Sequence, residues 1–390
     1  MRLNPAMLAT DAPPIPEAKR WLEGVTFPAD RPLLNVSQAA PTGAPPEALR
    51  QAIAEAALND PDAHLYGPVL GMDALRAEVA SDWSRHYGGT VTPDQVAITA
   101  GCNQAFVAVM AALAGAEDEV ILPTPWYFNH KMWLDMTGVR AVPLPCDAAM
   151  IPDPDTAAGL ITDATRAIVL VTPNNPTGAE YPPETLAAFR DLARARGIAL
   201  VVDETYRDFH SRSGPPHDLI ADPDWSDTVI SLYSFSKTYR LTGHRVGAVI
   251  ASADLLRQME KFQDTAIICP NMLGQTAALW GMRNLSQWVA SERDEILDRR
   301  AAVGEHLGPL PGWDILGLGA YFAFVSHPFD SPSDTVARRL VREAGVLALP
   351  ATMFAPRGDP VCDKGLRIAF ANIDRAQIAD LAGRLAALRP

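Results

Sequence analysis

Between residues 95 and 250 the sequence alternates short apolar runs with amphipathic segments at helical spacing. The apolar runs, rich in Val and Ile, are QVAIT, EVILP, RAIVLVTP, IALVVDE, TVISLYS and RVGAVIA, and the helical segments between them include NQAFVAVMAALAG and ETLAAFRDLARARG. This alternation is typical of a mostly parallel β-sheet that helices cover on both faces. It predicts an α/β fold for this part of the chain.

The segments before and after this α/β stretch have different sequence patterns. Residues 1–45 are rich in proline, which disfavours long helices and predicts an N-terminal arm packed over another part of the protein. Residues 46–285 begin with two helical segments, PPEALRQAIAEAAL and GMDALRAEVASDW, and form the predicted large domain. Residues 286–390 combine a long charged helix with shorter strands and helices, which predicts a small α+β domain that the arm joins in part.

Charge and hydropathy argue against several classes of partner. The formal net charge of −13 over 390 residues opposes binding to nucleic acid or to an anionic membrane, because both reward positive charge. No apolar run approaches membrane-spanning length and the N-terminus lacks the apolar core of a signal peptide, so we expect a cytoplasmic protein with small-molecule partners. The cysteines are far apart, and we expect no metal site and reduced thiols at Cys102, Cys146, Cys269 and Cys362.

Polar and glycine-containing segments follow four of the predicted strands, at the point where each strand ends. They are Gly101-Cys102-Asn103, Asn174-Asn175, Asp203, and Ser234 to Lys237. Because parallel sheets bind ligands at the carboxyl ends of their strands, we expect these segments to line one site.

The segment SFSKTYRLTGHRVG carries the most informative lysine of the chain. Lys237 is flanked by hydroxyl groups, which fits an imine-forming amine. Donors for a phosphate group beside it would be Ser234, Ser236 and Arg245. A cationic, partly desolvated setting would favour the neutral and nucleophilic form of such an amine. Taken alone, the pattern fits a surface lysine in a polar loop equally well.

Two further segments offer polar groups to an aromatic ligand. In VTPNNPTG, Asn175 can donate a hydrogen bond to a phenolate oxygen, although the same residues also suit a simple turn. In VVDETYRDF, Asp203 ends an apolar strand, where a buried carboxylate needs a partner such as a protonated pyridine nitrogen. Tyr206 is placed to bind the same phenolate as Asn175. The alternative role for Asp203 is to cap a helix after the strand.

The segment TAGCNQAF has the pattern of a strand, a glycine turn and a helix start. The backbone N–H groups of Gly101, Cys102 and Asn103 can therefore bind a phosphate at the positive end of the helix dipole. Cys102 itself fits a small packing residue better than a nucleophile. Further along, Trp126 and Tyr127 offer aromatic faces that can stack on a flat ring, although core packing is the ordinary role of such a pair.

The order of these segments resembles the class I and II aminotransferases, the family of aspartate, aromatic and kynurenine aminotransferases. The resemblance runs from about residue 33 to the C-terminus and rests on Tyr66-Gly67, Gly71, Leu75-Arg76, Gly101, Trp126-Tyr127, Asn175-Pro176-Thr177-Gly178, Asp203, Tyr206, Ser234-Phe235-Ser236-Lys237, Arg245, Gly247 and Gly365-Leu366-Arg367. It implies the fold-type-I architecture, whose large domain has a mostly parallel seven-stranded sheet covered by helices. It also implies pyridoxal 5′-phosphate as cofactor, a homodimer, and transfer of an amino group from an α-amino acid to a 2-keto acid by a ping-pong mechanism.

The same resemblance implies a role for each matched residue. Lys237 would hold the cofactor as a Schiff base and move the proton at the substrate α-carbon. Asp203 would bind the pyridinium nitrogen, while Asn175 and Tyr206 would bind the phenolic oxygen. The other cofactor-binding residues would be Gly101, Cys102 and Asn103 at the helix start, Tyr127 as the ring stacker, Ser234, Ser236 and Arg245 at the phosphate, and the partner subunit's Tyr66.

The implied substrate site is less fully specified. Arg367 would pair with the substrate α-carboxylate in a planar bidentate contact, with Asn175 and Ala39 beside the substrate. Two departures from the family pattern fall here, because Ser37-Gln38-Ala39-Ala40-Pro41 stands in place of a Gly-Glu-Pro-type turn and Pro350-Ala351 in place of Pro-Gly. Candidates for binding a second carboxylate are Arg20, Lys131, Arg140 and Arg240, while an apolar side chain would suit Trp21, Trp126, Tyr127 and Phe354 equally well.

Other functions remain open from the sequence. A pyridoxal-phosphate lyase or synthase, such as a β-lyase or an aminocyclopropane-carboxylate synthase, would use the same lysine, aspartate and arginine. A ligand-binding module of a transcription regulator would carry a basic DNA-binding domain in front, whereas this chain is acidic. A lyase or synthase differs from an aminotransferase in the fate of the amino group, which an aminotransferase transfers to a second keto acid.

Overall fold

The computed structural model describes residues 1–389 and all of their side chains except those of residues 361 and 362. The expected thiol of Cys362 and the last residue of the small domain, Pro390, therefore lie outside the described residues. The other cysteines are free, as expected: Cys102, Cys146 and Cys269.

Helices alternate with strands along most of the described chain. The α-helices are Pro5–Ala9, Pro14–Arg20, Glu47–Asn59, Asp73–Tyr87, Cys102–Leu113, Phe128–Thr137, Pro154–Leu160, Pro183–Arg196, Phe235–Thr238, Ala253–Ile267, Met272–Asn284, Ser286–Leu307, Ser333–Arg339, Pro360–Lys364 and Arg375–Ala387. The two helices of the proline-rich arm have five and seven residues, which confirms that this segment forms no long helix.

A seven-stranded sheet forms the centre of the large domain. Its strands, in spatial order, are Val96–Thr99, Gly247–Ile250, Val229–Ser234, Ala199–Asp203, Thr165–Val171, Glu119–Thr124 and Arg140–Pro145. Gly247–Ile250 runs in the direction opposite to the other six strands, so the sheet is mostly parallel, as predicted.

Apolar side chains on both faces of this sheet explain why helices cover it on both sides. On one face, Trp83 and Phe189 bring the helices Asp73–Tyr87 and Pro183–Arg196 into a core with Ile168 and Val202. On the other face, a second core holds Phe106, Val109, Leu256 and Met259, from the helices Cys102–Leu113 and Ala253–Ile267. Strands buried on both faces read as continuous apolar runs, which is the pattern seen in the sequence.

A four-stranded antiparallel sheet forms the small domain, in the order Leu349–Pro350, Gly365–Ile368, Phe322–Ser326 and Asp314–Gly319. Its core includes side chains of the helices Ser286–Leu307, Ser333–Arg339 and Arg375–Ala387. The arm joins this core through Ala18, Trp21 and Val36, and its strand Leu34–Asn35 pairs in parallel with Val346–Leu347. The division of the chain at residues 46 and 286 stays a prediction.

The carboxyl ends of the central strands meet at one edge of the large sheet. Val171 is in register with Asp203, and Asp203 with Leu232, so the segments that follow these strands emerge side by side. This edge faces the small domain, because Gly178 packs within contact distance of Gly319 there. The fold thus gathers the predicted polar segments between the two domains.

A buried acidic side chain lies next to Asp203, on the opposite side of the strand end. Glu204 is fully buried and accepts hydrogen bonds from Tyr87 Oη, from Ser231 Oγ at 2.5 Å and from His217 Nε2 at 3.0 Å. Burial alone would raise the pKa of Glu204, but the attraction of His217 and Arg207 and these hydrogen bonds outweigh it and lower the pKa to about 2.

We expect Glu204→Gln to destabilise the protein by about 3 kcal/mol at neutral pH, because it removes one partner of a buried, hydrogen-bonded charge pair. Since the pKa of Glu204 is depressed from 4.5 to about 2, its contribution is fully present above pH 4.5 and is lost as the pH falls towards 2. Denaturant unfolding at several pH values measures both effects. The exposed Glu23→Gln is the matched control, and an equal free energy of unfolding for the two variants would contradict this account.

Candidate active site between the two domains

Lys237 follows the strand Val229–Ser234 in the short helix Phe235–Thr238. Its Nζ donates a hydrogen bond of 2.7 Å to the carbonyl oxygen of Ala39 in the arm. Burial, followed by the positive charges of Arg245 and Arg367, lowers the pKa of Lys237 from 10.5 to about 8. A larger fraction of this amine is therefore neutral and nucleophilic at physiological pH than for an exposed lysine.

The lysine-bearing helix is fixed by hydrogen bonds to the segment that carries Tyr206. Thr238, next to Lys237, donates through Oγ1 to Asp208 Oδ2 at 2.7 Å. Tyr233, on the strand before the helix, donates to the same carboxylate oxygen at 2.6 Å. Asp208 thus ties together the two segments that place Lys237 and Tyr206 at the cavity.

Asp203 ends its strand with a side chain that is 4% exposed. Its Oδ1 accepts a hydrogen bond of 3.0 Å from the backbone N–H of Thr205, and its Oδ2 lies 3.4 Å from Nε2 of His130. The imidazole of His130 stacks on Phe106, with 3.9 Å between the ring centroids. Sequence reasoning gave no role to His130, although it lies only three residues after Tyr127.

An anion-binding cradle forms where the helix Cys102–Leu113 begins. Gly101 has a φ of +86°, a left-handed conformation that glycine adopts without strain, and it packs against the guanidinium of Arg245. Arg245 Nη1 donates to Ser236 Oγ at 3.2 Å, and Ser234 Oγ accepts from the backbone N–H of Ser236 at 3.3 Å. Backbone N–H groups at a helix start, a guanidinium and hydroxyl groups together suit a phosphate.

Of the neighbouring pair Trp126 and Tyr127, it is Tyr127 that lines the cavity. Its hydroxyl donates to Asn103 Oδ1 at 3.1 Å and accepts from Asn129 Nδ2 at 2.9 Å. Burial, with the nearby charge of Asp203 as a smaller cause, raises the pKa of Tyr127 to about 12, so the ring stays neutral. Trp126 packs instead in the apolar core behind the helix Cys102–Leu113.

Tyr206 and Asn175 lie on the opposite wall, towards the small domain. The ring of Tyr206 packs against Tyr321 and Phe322, with centroids 5.3 and 5.2 Å away. Burial raises the pKa of Tyr206 well above its ordinary value, which keeps its hydroxyl protonated. Asn175 is 6% exposed, and its Oδ1 accepts from Arg367 Nη1 at 2.9 Å.

Arg367 is a buried cation with a free donor. It lies in the strand Gly365–Ile368, is 2% exposed, and donates to Asn175 and to the carbonyl oxygen of Ser37. Its Nε has no hydrogen-bond partner among the described residues. Burial lowers the pKa of Arg367 to about 10, which still leaves it positively charged at neutral pH. A buried guanidinium with an unused N–H is suited to a carboxylate.

One cavity of about 510 Å³ brings most of the candidate residues together. Its walls include Ala39, Cys102, Asn103, Tyr127, Asn175, Asp203, Tyr206, Ser234, Ser236, Lys237, Arg245 and Arg367. Gly101 lies directly behind Arg245. Tyr66 is the exception, because it is 80% exposed and lies outside this cavity of the single chain. Gln38 and Ala40, from the segment that stands in place of the Gly-Glu-Pro-type turn, also line it. Lining residues for which the sequence gave no signal include Pro13, Ile15, Pro16, Phe128, Asn129 and Thr205.

Comparison with known proteins identifies the family. The sequence profile described as aminotransferase class I and II matches residues 31–385. The chain belongs to the class I and II aminotransferases. It is 27% identical to aromatic aminotransferase ISS1 of Arabidopsis thaliana, with 98% of this chain and 95% of that protein covered. It is 31% identical to valine–pyruvate aminotransferase of Mycobacterium tuberculosis, with 87% of each chain covered.

A solved structure also supports the assignment of this chain to the aminotransferases. Aspartate aminotransferase from Thermus thermophilus with maleate superimposes with a TM-score of 0.89, at 25% identity and with 99% of both chains covered. The fold-type-I architecture and amino-group transfer, both expected from the sequence, are thereby confirmed, and the lyase or synthase alternative is not favoured. The enzyme is a transferase of nitrogenous groups.

The described part of the chain lacks two further features. No helix there is both long and apolar enough to cross a membrane. Nor does that part contain a group of three or more His, Cys, Asp or Glu side chains placed to hold a metal ion.

Proposed function

We propose that this aminotransferase uses pyridoxal phosphate bonded to Lys237 and moves an amino group between an amino acid and a keto acid in two half-reactions. The observation that carries the proposal is the buried Lys237 amine, whose lowered pKa makes it nucleophilic, in one cavity with Asp203 and the anion-binding cradle. Pyridoxal phosphate is the cofactor on which this family depends. When bound, it supplies a ring that accepts the electron pair released as a bond to the substrate α-carbon breaks.

The cavity fits this cofactor on its own geometry. Arg245 lies beside Gly101 at the N-terminus of a twelve-residue helix, so a phosphate bound there finds both a cation and backbone donors. At the other end, the carboxylate of Asp203 is buried beside His130 and can hold the proton of a ring nitrogen. Between them, Tyr127 offers a flat face.

The polar residues towards the small domain bind the remaining groups. Tyr206, held protonated by its burial, and Asn175 donate to the phenolic oxygen of the cofactor. Arg367, the buried cation that lines this part of the cavity, binds the substrate α-carboxylate. Lys237 Nζ would move the proton at the substrate α-carbon, because it is the basic group with a pKa near 8 in this cavity.

A panel of amino donors tests the reaction class. The names of two relatives indicate different substrates, aromatic amino acids for one and valine with pyruvate for the other. The panel must therefore include many kinds of amino acid. We expect one group of donors to convert the cofactor to its amine form with release of the corresponding keto acid, and a second keto acid to reverse the change. Ammonia and pyruvate released without a keto acceptor would contradict amino transfer.

A homodimer is part of the proposal, with Tyr66 reaching the phosphate of the neighbouring subunit. Apolar side chains lie exposed around it, since Leu58 is 81%, Leu65 62% and Ile268 44% exposed. Burial of such a patch against a second copy would remove it from water. A cytoplasmic location stays a prediction from the composition.

Mixed dimers test the position of Tyr66. In a dimer of wild type with Lys237→Ala, only the wild-type subunit can bond the cofactor and give its visible absorbance. Adding Tyr66→Phe to the Lys237→Ala subunit should weaken cofactor binding at the wild-type lysine about tenfold, through loss of one charge-assisted hydrogen bond. Absorbance titration of the two mixed dimers makes the comparison, with the first dimer as control. Equal dissociation constants would contradict the cross-subunit position.

A further inference from the structure

The wall of the active-site cavity carries few charges. Among the described lining residues, the charged side chains are Asp203, Lys237, Arg245 and Arg367. In the proposed function, three of them bind the cofactor and Arg367 binds the substrate α-carboxylate. The rest of the wall therefore offers a substrate side chain no free charge from this chain.

The cations that the sequence suggested for a second carboxylate lie elsewhere. Each forms an ion pair outside the cavity: Arg20 with Glu17 at 2.7 Å, Lys131 with Asp135 at 2.5 Å, Arg140 with Glu119, and Arg240 with Glu292 at 2.7 Å. A dicarboxylic substrate would bury its distal carboxylate without a cation from this chain, which is costly.

The uncharged wall includes an apolar part, and the N-terminal arm supplies several of its residues. Pro13, Ile15 and Pro16, at the start of the helix Pro14–Arg20, line the cavity together with Phe128. Ile15 packs against the apolar cluster that contains Phe128. The arm is held there because its first helix packs on the helix Phe128–Thr137.

This apolar surface lies next to the proposed carboxylate-binding group. The guanidinium carbon of Arg367 is 5.9 Å from the ring centroid of Phe128, which lines the cavity. It is 4.9 Å from that of Phe354, which is fully buried against Phe128 and is not part of the cavity wall. A substrate whose α-carboxylate is bound by Arg367 therefore has an aromatic and aliphatic surface within reach of its side chain.

We infer that this enzyme takes amino acids with uncharged, apolar side chains and monocarboxylic keto acids, and that Ile15 and Phe128 contact the substrate side chain. The inference rests on the proposed function, since it assigns Arg367 to the α-carboxylate. Burial of an apolar side chain against these residues favours such substrates. The missing cation disfavours dicarboxylic ones.

Binding of unreactive acids tests the inference without catalysis. Isothermal titration calorimetry on the cofactor-loaded enzyme compares 4-methylvalerate, a monocarboxylate with a branched apolar tail, with glutarate, a dicarboxylate of similar length. We expect 4-methylvalerate to bind at least about tenfold more tightly. Equal or tighter binding of glutarate overturns the inference, and it would point to a cation supplied by a partner subunit.

A charge placed at residue 15 tests the role of Ile15. We expect Ile15→Lys to weaken 4-methylvalerate and tighten glutarate, which changes the ratio of their dissociation constants by about tenfold. Leu8→Lys is the matched control, because Leu8 is an apolar residue of the same arm that is 68% exposed and lies outside the cavity. An unchanged ratio in Ile15→Lys, as in Leu8→Lys, overturns the assignment of Ile15.

The donor panel separates failure of this inference from failure of the proposed function. If the inference is right, leucine-like and methionine-like donors convert the cofactor faster than aspartate and glutamate. If aspartate or glutamate converts it fastest, the substrate class is wrong while amino transfer stands. If no donor converts it although 4-methylvalerate binds, the proposed function fails.

Discussion

Replacing Lys237 with alanine should lower the rate of amino transfer by at least about 10⁴-fold, because one substitution removes both the covalent attachment point and the proton-transferring base. The cradle at Gly101 and Arg245 stays intact, so we expect the cofactor to bind without a covalent bond. Steady-state turnover and equilibrium dialysis of the cofactor measure the two effects.

Two comparisons make the Lys237 result specific. Lys261→Ala alters an exposed lysine on the helix Ala253–Ile267 and should leave turnover unchanged. A small added amine should restore part of the activity of Lys237→Ala, since it replaces the missing base in a cavity that is otherwise complete. Undiminished turnover of Lys237→Ala would remove the central residue of the proposal.

Asp203→Ala should lower kcat by about 10²-fold to 10³-fold while leaving the bond between Lys237 and the cofactor in place. In the proposed function Asp203 holds no part of that bond, but its buried carboxylate would keep a ring nitrogen protonated and so strengthen the ring as an electron acceptor. The expected signature is a retained visible absorbance with a large fall in kcat.

The control for Asp203 lies on the surface of the same domain. Asp191 is an exposed carboxylate on the helix Pro183–Arg196, and Asp191→Ala should leave kcat unchanged. If Asp203→Ala kept full kcat, or if it lost the visible absorbance and kcat together, the role given to Asp203 would be wrong.

The central strands of the large sheet were predicted from the sequence, whereas two strands at sheet edges were not. Strands buried on both faces, such as Ala199–Asp203, leave unbroken apolar runs that are easy to recognise. The strand Arg140–Pro145 escaped notice because it contains two prolines, which are tolerated only because it lies at the edge of the sheet. Asp314–Gly319, rich in glycine and also at a sheet edge, escaped for a similar reason.

The candidate site, too, could be predicted only in part from the sequence. Residues that directly follow central strands, such as Asp203 and Lys237, could be placed together, because parallel strands end at one edge. His130 and Ile15 could not, since each reaches the site from a helix whose packing depends on contacts distant in sequence. The sequence could not show whether Tyr127 or Trp126 faces the cavity, because this depends on the direction in which the helix Phe128–Thr137 begins.

Neither the sequence nor the structure of a single chain shows where Tyr66 lies in a dimer. The sequence placed it at a phosphate of the neighbouring subunit, and the single chain leaves it exposed, so the mixed-dimer comparison is needed.

The most direct test of the central claim is to reduce the cofactor-loaded enzyme with borohydride and to map the modified peptide by mass spectrometry. Reduction makes the bond between an amine and the cofactor aldehyde permanent and marks the residue that carries it. We predict a single pyridoxyl-phosphate adduct on Lys237, within the segment SFSKTYR, and its disappearance in Lys237→Ala. An adduct on another lysine, or none in an enzyme that transfers amino groups, would contradict the account.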